Sequence, residues 1–95
     1  MVLVKIEFVG TLRGAVGKKN YEITLDEPAT VGRLLQQLNA ILKINKEILI
    51  REESLNPSSD ILILVDGKEI SVLESLATKL TDGSLVALVP VSHGG

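Results

Sequence analysis

Residues 30–42 read TVGRLLQQLNAIL and form the clearest pattern in the chain. Thr30 stands where a helix N-cap is expected, although Arg33 replaces the Glu or Gln that would complete a capping box. Apolar side chains then recur three and four residues apart, which is the spacing of one face of an α-helix. We therefore predict an amphipathic helix whose buried stripe consists of Val31, Leu34, Leu35, Leu38, Ile41 and Leu42.

Alternating apolar residues before this helix predict two β-strands. Val2–Val9 places every second side chain on one face, and Tyr21–Leu25 does the same. The segment between them, Gly10–Asn20, contains three glycines and is predicted to be a long hairpin connection. The first two strands should therefore pair antiparallel.

A second group of strands is predicted after the helix. Ile61–Val65 is a continuous apolar run, as expected for a strand covered on both faces, and Asp66-Gly67 is a two-residue hairpin signal leading into Lys68–Ile70. The segment Lys43–Asp60 has no assignable pattern apart from a loop at its end, residues 56–60.

The last strand is predicted at Leu85–Val91. A short helical turn at Val72–Leu76 and a chain turn at Thr81–Gly83 precede it. The resulting order is β-β-α-β-β-β, which fits an α+β fold with one helix across one face of a sheet.

One helix can cover only one face of the sheet, so the other face stays open. If Val86 and Leu88 point toward the helix, Val9, Leu85 and Val89 lie on the open face, close to the chain end. An apolar patch in that position indicates a partner surface. The alternative is that these are ordinary exposed aliphatic residues without a role.

Composition excludes several classes of function. The chain has 95 residues, enough for one domain, with 45% hydrophobic and 23% charged residues. Phe8 and Tyr21 are the only aromatic residues, the net charge is -2, and the ten Lys and Arg residues are scattered along the chain rather than clustered, so direct nucleic-acid binding is not expected. No apolar stretch has membrane-spanning length and the start lacks a signal-peptide pattern, so we expect a cytoplasmic protein.

Catalytic and metal-binding patterns are missing. Cysteine is absent, and the single histidine, His93, lies near the chain end, where no rigid acid–base geometry can be built. A phosphate-binding loop ending at Gly17-Lys18 would need Gly and Ser or Thr where Leu12 and Lys19 stand. We predict that the protein carries a reactive group that other proteins make and consume.

The chain end offers such a group. Gly94 and Gly95 have no side chains, and an extended Val91–Gly95 segment would reach about 17 Å. The carboxylate of Gly95 is ionised at neutral pH and is a poor electrophile until a partner activates it. We predict a folded domain at residues 1–90 and a flexible tail at 91–95; the alternative is a terminus of small residues without a role.

Two motifs at opposite ends of the chain resemble one family. Phe8-x-x-x-Leu12-Arg13-x-x-x-Gly17 and the closing stretch from Leu80 to Gly95 are similar to the ubiquitin-like β-grasp sulfur carriers and small modifiers. This family includes the MoaD-type small subunit of molybdopterin synthase, the thiamin sulfur carrier ThiS, ubiquitin-related modifiers and archaeal small modifier proteins. MoaD-type tails often have two prolines, whereas Pro90 here precedes Val91 and the ending is closer to that of a ubiquitin-related modifier. The resemblance implies a mixed sheet of four to five strands.

The resemblance also implies a function. A ubiquitin-activating-type adenylyltransferase would use ATP to adenylate the Gly95 carboxylate, while the protein itself would bind no cofactor or metal and would not be an enzyme. A sulfur donor would then give a thiocarboxylate for the large subunit of molybdopterin synthase or for a tRNA thiolation enzyme. Attack by a target-protein lysine would instead give an isopeptide bond. Gly94 would give access to Gly95, and Val9, Leu85, Val89 and Val91 would dock the partner.

A third possibility stays open beside these two. The chain could be a β-grasp interaction domain that binds its partners without covalent chemistry and whose tail is incidental.

Overall fold

The computed structural model describes residues 1–42, 50–51, 56–57 and 61–90. The predicted tail, residues 91–95, and most of the unassigned segment 43–60 lie outside the described residues. Two 3₁₀ turns, Ile70–Val72 and Ser75–Ala77, precede the last strand. The helices and strands are β1 Val2–Phe8, α1 Thr11–Val16, β2 Asn20–Leu25, α2 Val31–Leu42, β3 Ile50–Arg51, β4 Asn56–Pro57, β5 Ile61–Val65, β6 Lys68–Glu69 and β7 Leu85–Pro90.

The main sheet has five strands in the order β2-β1-β7-β5-β6. β1 and β7 run parallel, whereas the other neighbouring strands are antiparallel. The sheet is therefore mixed, as the family resemblance implies. β7, the last strand in sequence, lies in the centre and joins the β1–β2 hairpin to the β5–β6 hairpin.

Helix α2 confirms the prediction made for residues 30–42. Thr30 is its N-cap, because the Thr30 Oγ1 atom accepts a hydrogen bond from the backbone N–H of Arg33 at 3.3 Å. Ile41 is 45% exposed, so the buried stripe is narrower than predicted. The core packs this helix against the inner side chains of the sheet and includes Val4, Ile6, Phe8, Val31, Leu34, Leu35, Leu38, Val86 and Leu88.

The segment Gly10–Asn20 connects two antiparallel strands, as predicted, but it contains the helix α1, which was not predicted. Leu12 is buried in the core, and burying this side chain favours a helical turn over an exposed loop. Gly10 (φ 62°) lies just before the helix. Gly17 (φ 82°) ends the helix in a left-handed conformation, with its N–H bonded to the carbonyl of Arg13 at 2.8 Å. The glycines therefore bound a helix where a turn was predicted.

The Asp66-Gly67 hairpin is confirmed, but the burial predicted for β5 is not. Both turn residues have positive φ, 50° and 86°, as a type I′ turn requires. Ile63 and Val65 are buried on the α2 side of β5, whereas Leu62 and Leu64 on the other side are only half-buried. The strand is thus covered on one face, since α2 lies on only one side of the sheet.

Smaller differences concern the irregular segments. Asn56–Pro57, predicted as loop, pairs antiparallel with Ile50–Arg51. The strand after the hairpin ends at Glu69, one residue earlier than predicted, and two 3₁₀ turns replace the single predicted helical turn. The turn at Thr81–Gly83 is confirmed by the hydrogen bond from Ser84 N–H to the Thr81 carbonyl at 2.9 Å.

Two aspartate side chains accept hydrogen bonds that link the turns to neighbouring strands. Asp82 accepts a hydrogen bond from the backbone N–H of Leu3 through Oδ1 at 2.7 Å, which ties the turn before β7 to β1. Asp66 accepts one from the N–H of Leu85 at 2.9 Å, which ties the β5–β6 turn to the start of β7. The beginning of β7 is therefore fixed from both sides.

We expect Leu38→Ala to destabilise the protein by about 2 to 5 kcal/mol, because it leaves a cavity between α2 and the sheet. Ile41→Ala in the same helix should cost about 1 kcal/mol or less, because that side chain is 45% exposed. Urea unfolding followed by circular dichroism measures both. Equal losses for the two variants would contradict the packing described here.

Candidate functional site

The site is centred on Pro90, the last described residue of β7, from which the chain continues to the predicted tail; we call this point the exit. Pro90 ends β7 and pairs with Ile61 of β5 on one side. On the other side lies Gly10, where an added Cβ would stand 3.7 Å from Cγ of Pro90. The last described residue therefore lies between β5 and the segment that leads into α1. Val91, Gly94 and Gly95, three of the predicted site residues, lie outside the described residues.

Strand β7 gives this exit a rigid base. Val86 and Leu88 are completely buried on the side that faces α2. The backbone N–H of Val9 donates to the carbonyl of Leu88 at 3.1 Å and extends the parallel ladder past the end of β1. Any chain that continues beyond Pro90 therefore starts from one of the most firmly held strands of the sheet.

The opposite face of the sheet carries aliphatic side chains along β7, from Leu85 at its start to Val89 beside the exit. Because Val86 and Leu88 point toward α2, Leu85 and Val89 point away from it, as predicted. Val9 follows the buried Phe8 and lies on the same open face. We call this set the open-face patch: Val9, Leu62, Leu64, Leu85, Ala87 and Val89.

Leu62 and Leu64 were not predicted as members of the patch. The register pairs Leu62 with Val89 and Leu64 with Ala87, which places them on the open face. The uniform apolar run ILILV gives no alternation to separate the two faces of β5. The available signal is the two-residue Asp66-Gly67 turn, which pairs Leu64 with the polar residue Glu69 and so places both on one face of the sheet.

Polar residues border the open-face patch. Lys5 pairs with Leu85 and Glu7 with Ala87 along β1. Glu69 pairs with Leu64 on the other side. Apolar side chains at the centre and charged ones at the rim are the usual arrangement of a protein–protein interface. Within the described residues, Leu85 is the most exposed large apolar side chain of the patch, at 43%.

The border residue Glu69 is held as a carboxylate. Hydrogen bonds from the hydroxyl of Ser71 and from its backbone N–H lower the pKa of Glu69. The Ser71 Oγ atom lies 2.6 Å from Oε1 of Glu69. This side of the patch therefore keeps a negative charge in mildly acidic solution.

The described residues offer no evident catalytic machinery. Within residues 1–42, 50–51, 56–57 and 61–90, no three His, Cys, Asp or Glu residues are grouped so that they could hold a metal ion. No helix in this part of the chain has the length and apolarity needed to cross a membrane.

Comparison with known proteins identifies the family. Residues 3–95 match the family model of Urm1, the ubiquitin related modifier. The chain is 33% identical over 92 residues to small archaeal modifier protein 3 of Haloferax volcanii, which covers 97% of this chain and 98% of that protein. It is 30% identical over 101 residues to ubiquitin-related modifier 1 of Saccharomyces cerevisiae, over the full length of both chains.

A solved structure supports the same relationship. The putative molybdopterin converting factor, subunit 1, from Pyrococcus furiosus superposes with a TM-score of 0.78 at 27% identity, over 97% of this chain and 100% of that chain. The chain therefore belongs to the Urm1 family of ubiquitin-related modifiers. The predicted β-grasp fold and the resemblance to ubiquitin-like sulfur carriers and modifiers are both confirmed.

We expect Ser71→Ala to raise the pKa of Glu69 toward its ordinary value, because the hydroxyl is the largest cause of the lowering. Because the pKa of Glu69 is lowered in the folded state, its ionised form stabilises the folded protein at pH values above the pKa of the unfolded state. This stabilisation is lost as the pH falls through the folded-state pKa. NMR titration of the Glu69 side-chain carboxyl measures the change. An unchanged midpoint would contradict the hydrogen bond from the hydroxyl, and Ser75→Ala in the neighbouring 3₁₀ turn is the control.

Proposed function

We propose that this protein is a sulfur carrier whose C-terminal Gly95 carboxylate is activated by a ubiquitin-activating-type adenylyltransferase. A carboxylate oxygen of Gly95 attacks the α-phosphorus of ATP, and pyrophosphate leaves. The resulting acyl adenylate is the electrophile that the free carboxylate is not. The supporting observation is that the match to the Urm1 family runs through residue 95.

Sulfur enters from another protein in this proposal. A persulfide attacks the acyl carbon, AMP leaves, and an acyl disulfide forms. A thiol of the donor then attacks the disulfide and releases the Gly95 thiocarboxylate, while the donor becomes oxidised to a disulfide. The absence of cysteine in this chain agrees with an external sulfur source.

The protein acts as a carrier rather than as an enzyme in this scheme. It binds no cofactor itself, since ATP is bound by the activating enzyme. The open-face patch docks that enzyme, and the predicted tail reaches from Pro90 toward the active centre. The patch begins directly beside Pro90, because Val89 and its partner Leu62 belong to it.

The acceptor of the sulfur distinguishes two versions of the proposal. The likeness to a putative molybdopterin converting factor subunit favours the large subunit of molybdopterin synthase. A tRNA thiolation enzyme is the other acceptor that the family resemblance implies. Both acceptors would receive the same thiocarboxylate at Gly95, so activation of the tail is the step common to both.

Protein modification is a second candidate function. The relatives in Haloferax volcanii and Saccharomyces cerevisiae are both named modifiers. Attack of a target lysine amine on the activated Gly95 would form an isopeptide bond through the same adenylate. Purely non-covalent binding is the remaining alternative and would leave Gly95 chemically unchanged.

We expect incubation with the activating enzyme, ATP and a persulfide donor to replace one oxygen of the C-terminal carboxyl by sulfur. Intact-mass spectrometry measures this exchange. Omission of ATP and deletion of Gly94-Gly95 are the controls, and both should leave the mass unchanged. An unaltered wild-type mass under complete conditions would count against the sulfur-carrier function.

We expect tagged protein in its native cells to form adducts of higher mass if it also acts as a modifier. These adducts should persist in denaturant and reductant and should be absent from the Gly94-Gly95 deletion. Tryptic peptides would identify the modified lysines by their Gly-Gly remnant only if a cleavage site directly preceded the tail glycines, so a His93→Arg variant is used for mapping. The lack of any adduct dependent on the two glycines would exclude conjugation.

We expect Leu85→Glu to weaken docking to the activating enzyme by about tenfold or more, as for a central interface residue. Val72→Glu is the matched control, because Val72 is 73% exposed and lies outside the open-face patch. The measurement is the concentration dependence of ATP–pyrophosphate exchange. Similar effects of the two variants would show that docking does not use the patch.

A further inference from the structure

We propose that Arg13, Lys18 and Lys19 form a docking surface for an acidic rim around the channel of the activating enzyme that receives the tail. We call these three residues the basic edge. The inference rests on the proposed function and adds a second, electrostatic contact to the open-face patch. Four features of the described residues support it.

The first feature is that basic residues are concentrated in one segment of the chain. Residues 10–20 read GTLRGAVGKKN and contain three basic residues and no acidic residue, although the whole chain has a net charge of -2. Arg13, Lys18 and Lys19 are all exposed. A local excess of positive charge gives this surface a positive electrostatic potential, although the net charge of the whole chain is negative.

The second feature is that two of these charges are held in place. The Nε atom of Arg13 lies 3.5 Å from the carbonyl oxygen of Phe8. The Nζ atom of Lys18 lies over the ring of Tyr21, 4.9 Å from its centroid. Arg13 also stands in the last turn of α1, where the helix dipole favours a positive charge. Ordering these side chains before binding lowers the entropy lost when a partner contacts them.

The third feature is the position of the basic edge beside the exit of the chain. Because β1 and β7 are parallel, the end of β1 and the end of β7 lie at the same end of the sheet. Helix α1 contacts β7, and Gly10 lies against Pro90. A protein surface that surrounds the chain beyond Pro90 would therefore meet α1 and the start of β2.

The fourth feature is that charges of both signs are mixed at the other end of the strands. Asp66 and Asp82 stand in the turns next to the start of β7, and Asp26 and Glu27 follow the end of β2. Lys68, Lys79 and Arg33 lie near this end and offset most of its negative charge; Nη1 of Arg33 lies 3.3 Å from the carbonyl oxygen of Pro28. The basic edge is therefore the more positive end of the described residues, and an acidic partner surface would attract this end.

An acidic protein surface fits the basic edge better than RNA does. Three basic residues neutralise few phosphates. Tyr21, the one aromatic ring in this region, is half-buried and has Lys18 over its face, so it offers no free platform for a base. RNA binding is nevertheless included as an outcome of the test.

The test compares charge reversals at the two ends of the full-length protein. We expect Lys18→Glu/Lys19→Glu to raise the KM for the activating enzyme in ATP–pyrophosphate exchange about tenfold at low ionic strength, with kcat unchanged. Lys68→Glu/Lys79→Glu reverses the same number of charges at the far end and should change KM less than twofold. Lys18→Arg/Lys19→Arg should retain the wild-type KM.

Salt dependence provides a second readout that a folding defect would not produce. The kcat/KM of the wild type should fall as the salt concentration rises, and this dependence should be flatter for Lys18→Glu/Lys19→Glu. Circular dichroism and urea unfolding verify that all variants are folded. Arg13→Gln should move KM in the same direction by a smaller factor, because it removes one charge without reversing it.

The outcomes separate this inference from the proposed function. Wild-type protein that is not adenylated at all would overturn the proposed function. Normal adenylation with equal KM values for the two double reversals would overturn the basic edge and leave the proposed function intact. Loss of tRNA binding in a filter assay, with KM for the enzyme unchanged, would also overturn the inference and assign the surface to RNA.

Discussion

The structure depends on the insertion of the last strand into the middle of the sheet. β7 pairs parallel with β1 and antiparallel with β5, and no other described strand joins the two hairpins. Val86 and Leu88, both completely buried, pack this strand into the core with α2. Pairing between segments so distant in sequence has a high loop-closure cost, so the sheet is complete only when the C-terminal part of the chain is in place.

In this topology, strand β7 contributes both to the stability of the domain and to the surface that we propose for partner binding. The residues of β7 that face α2 hold the domain together, whereas the alternate residues, Leu85, Ala87 and Val89, form the middle of the open-face patch. A substitution on the inner side is expected to change the free energy of unfolding, and one on the outer side is expected to change the partner recognition that we propose. The period of two along a strand therefore separates the two roles within six residues.

The sequence allowed the prediction of the features that local rules govern. The helix at 31–42 follows from its apolar spacing, and the Asp66-Gly67 turn follows from the positive φ angles that these residues tolerate. Helix α1 was missed because its six residues contain one glycine and lie between two more, so that burial of Leu12, a tertiary contact, decides its conformation. Leu62 and Leu64 were missed because a uniform apolar run does not show which face is covered. The mixed sheet came from the family resemblance and not from periodicity, and the order of the strands within the sheet was not predicted.

The sequence alone identified some parts of the candidate site and missed others. Val9, Leu85 and Val89 were placed on the open face by alternation, which the structure bears out, while the roles given to Gly94 and Gly95 rest on the family. The basic edge was not predicted, because a count of charges along the chain does not show that α1 lies beside Pro90. A domain with one helix on one sheet has a single thin core and little room for a buried active site. The function that we propose places the chemistry in partner proteins, and the features that we propose to select them, the open-face patch and the basic edge, meet beside Pro90.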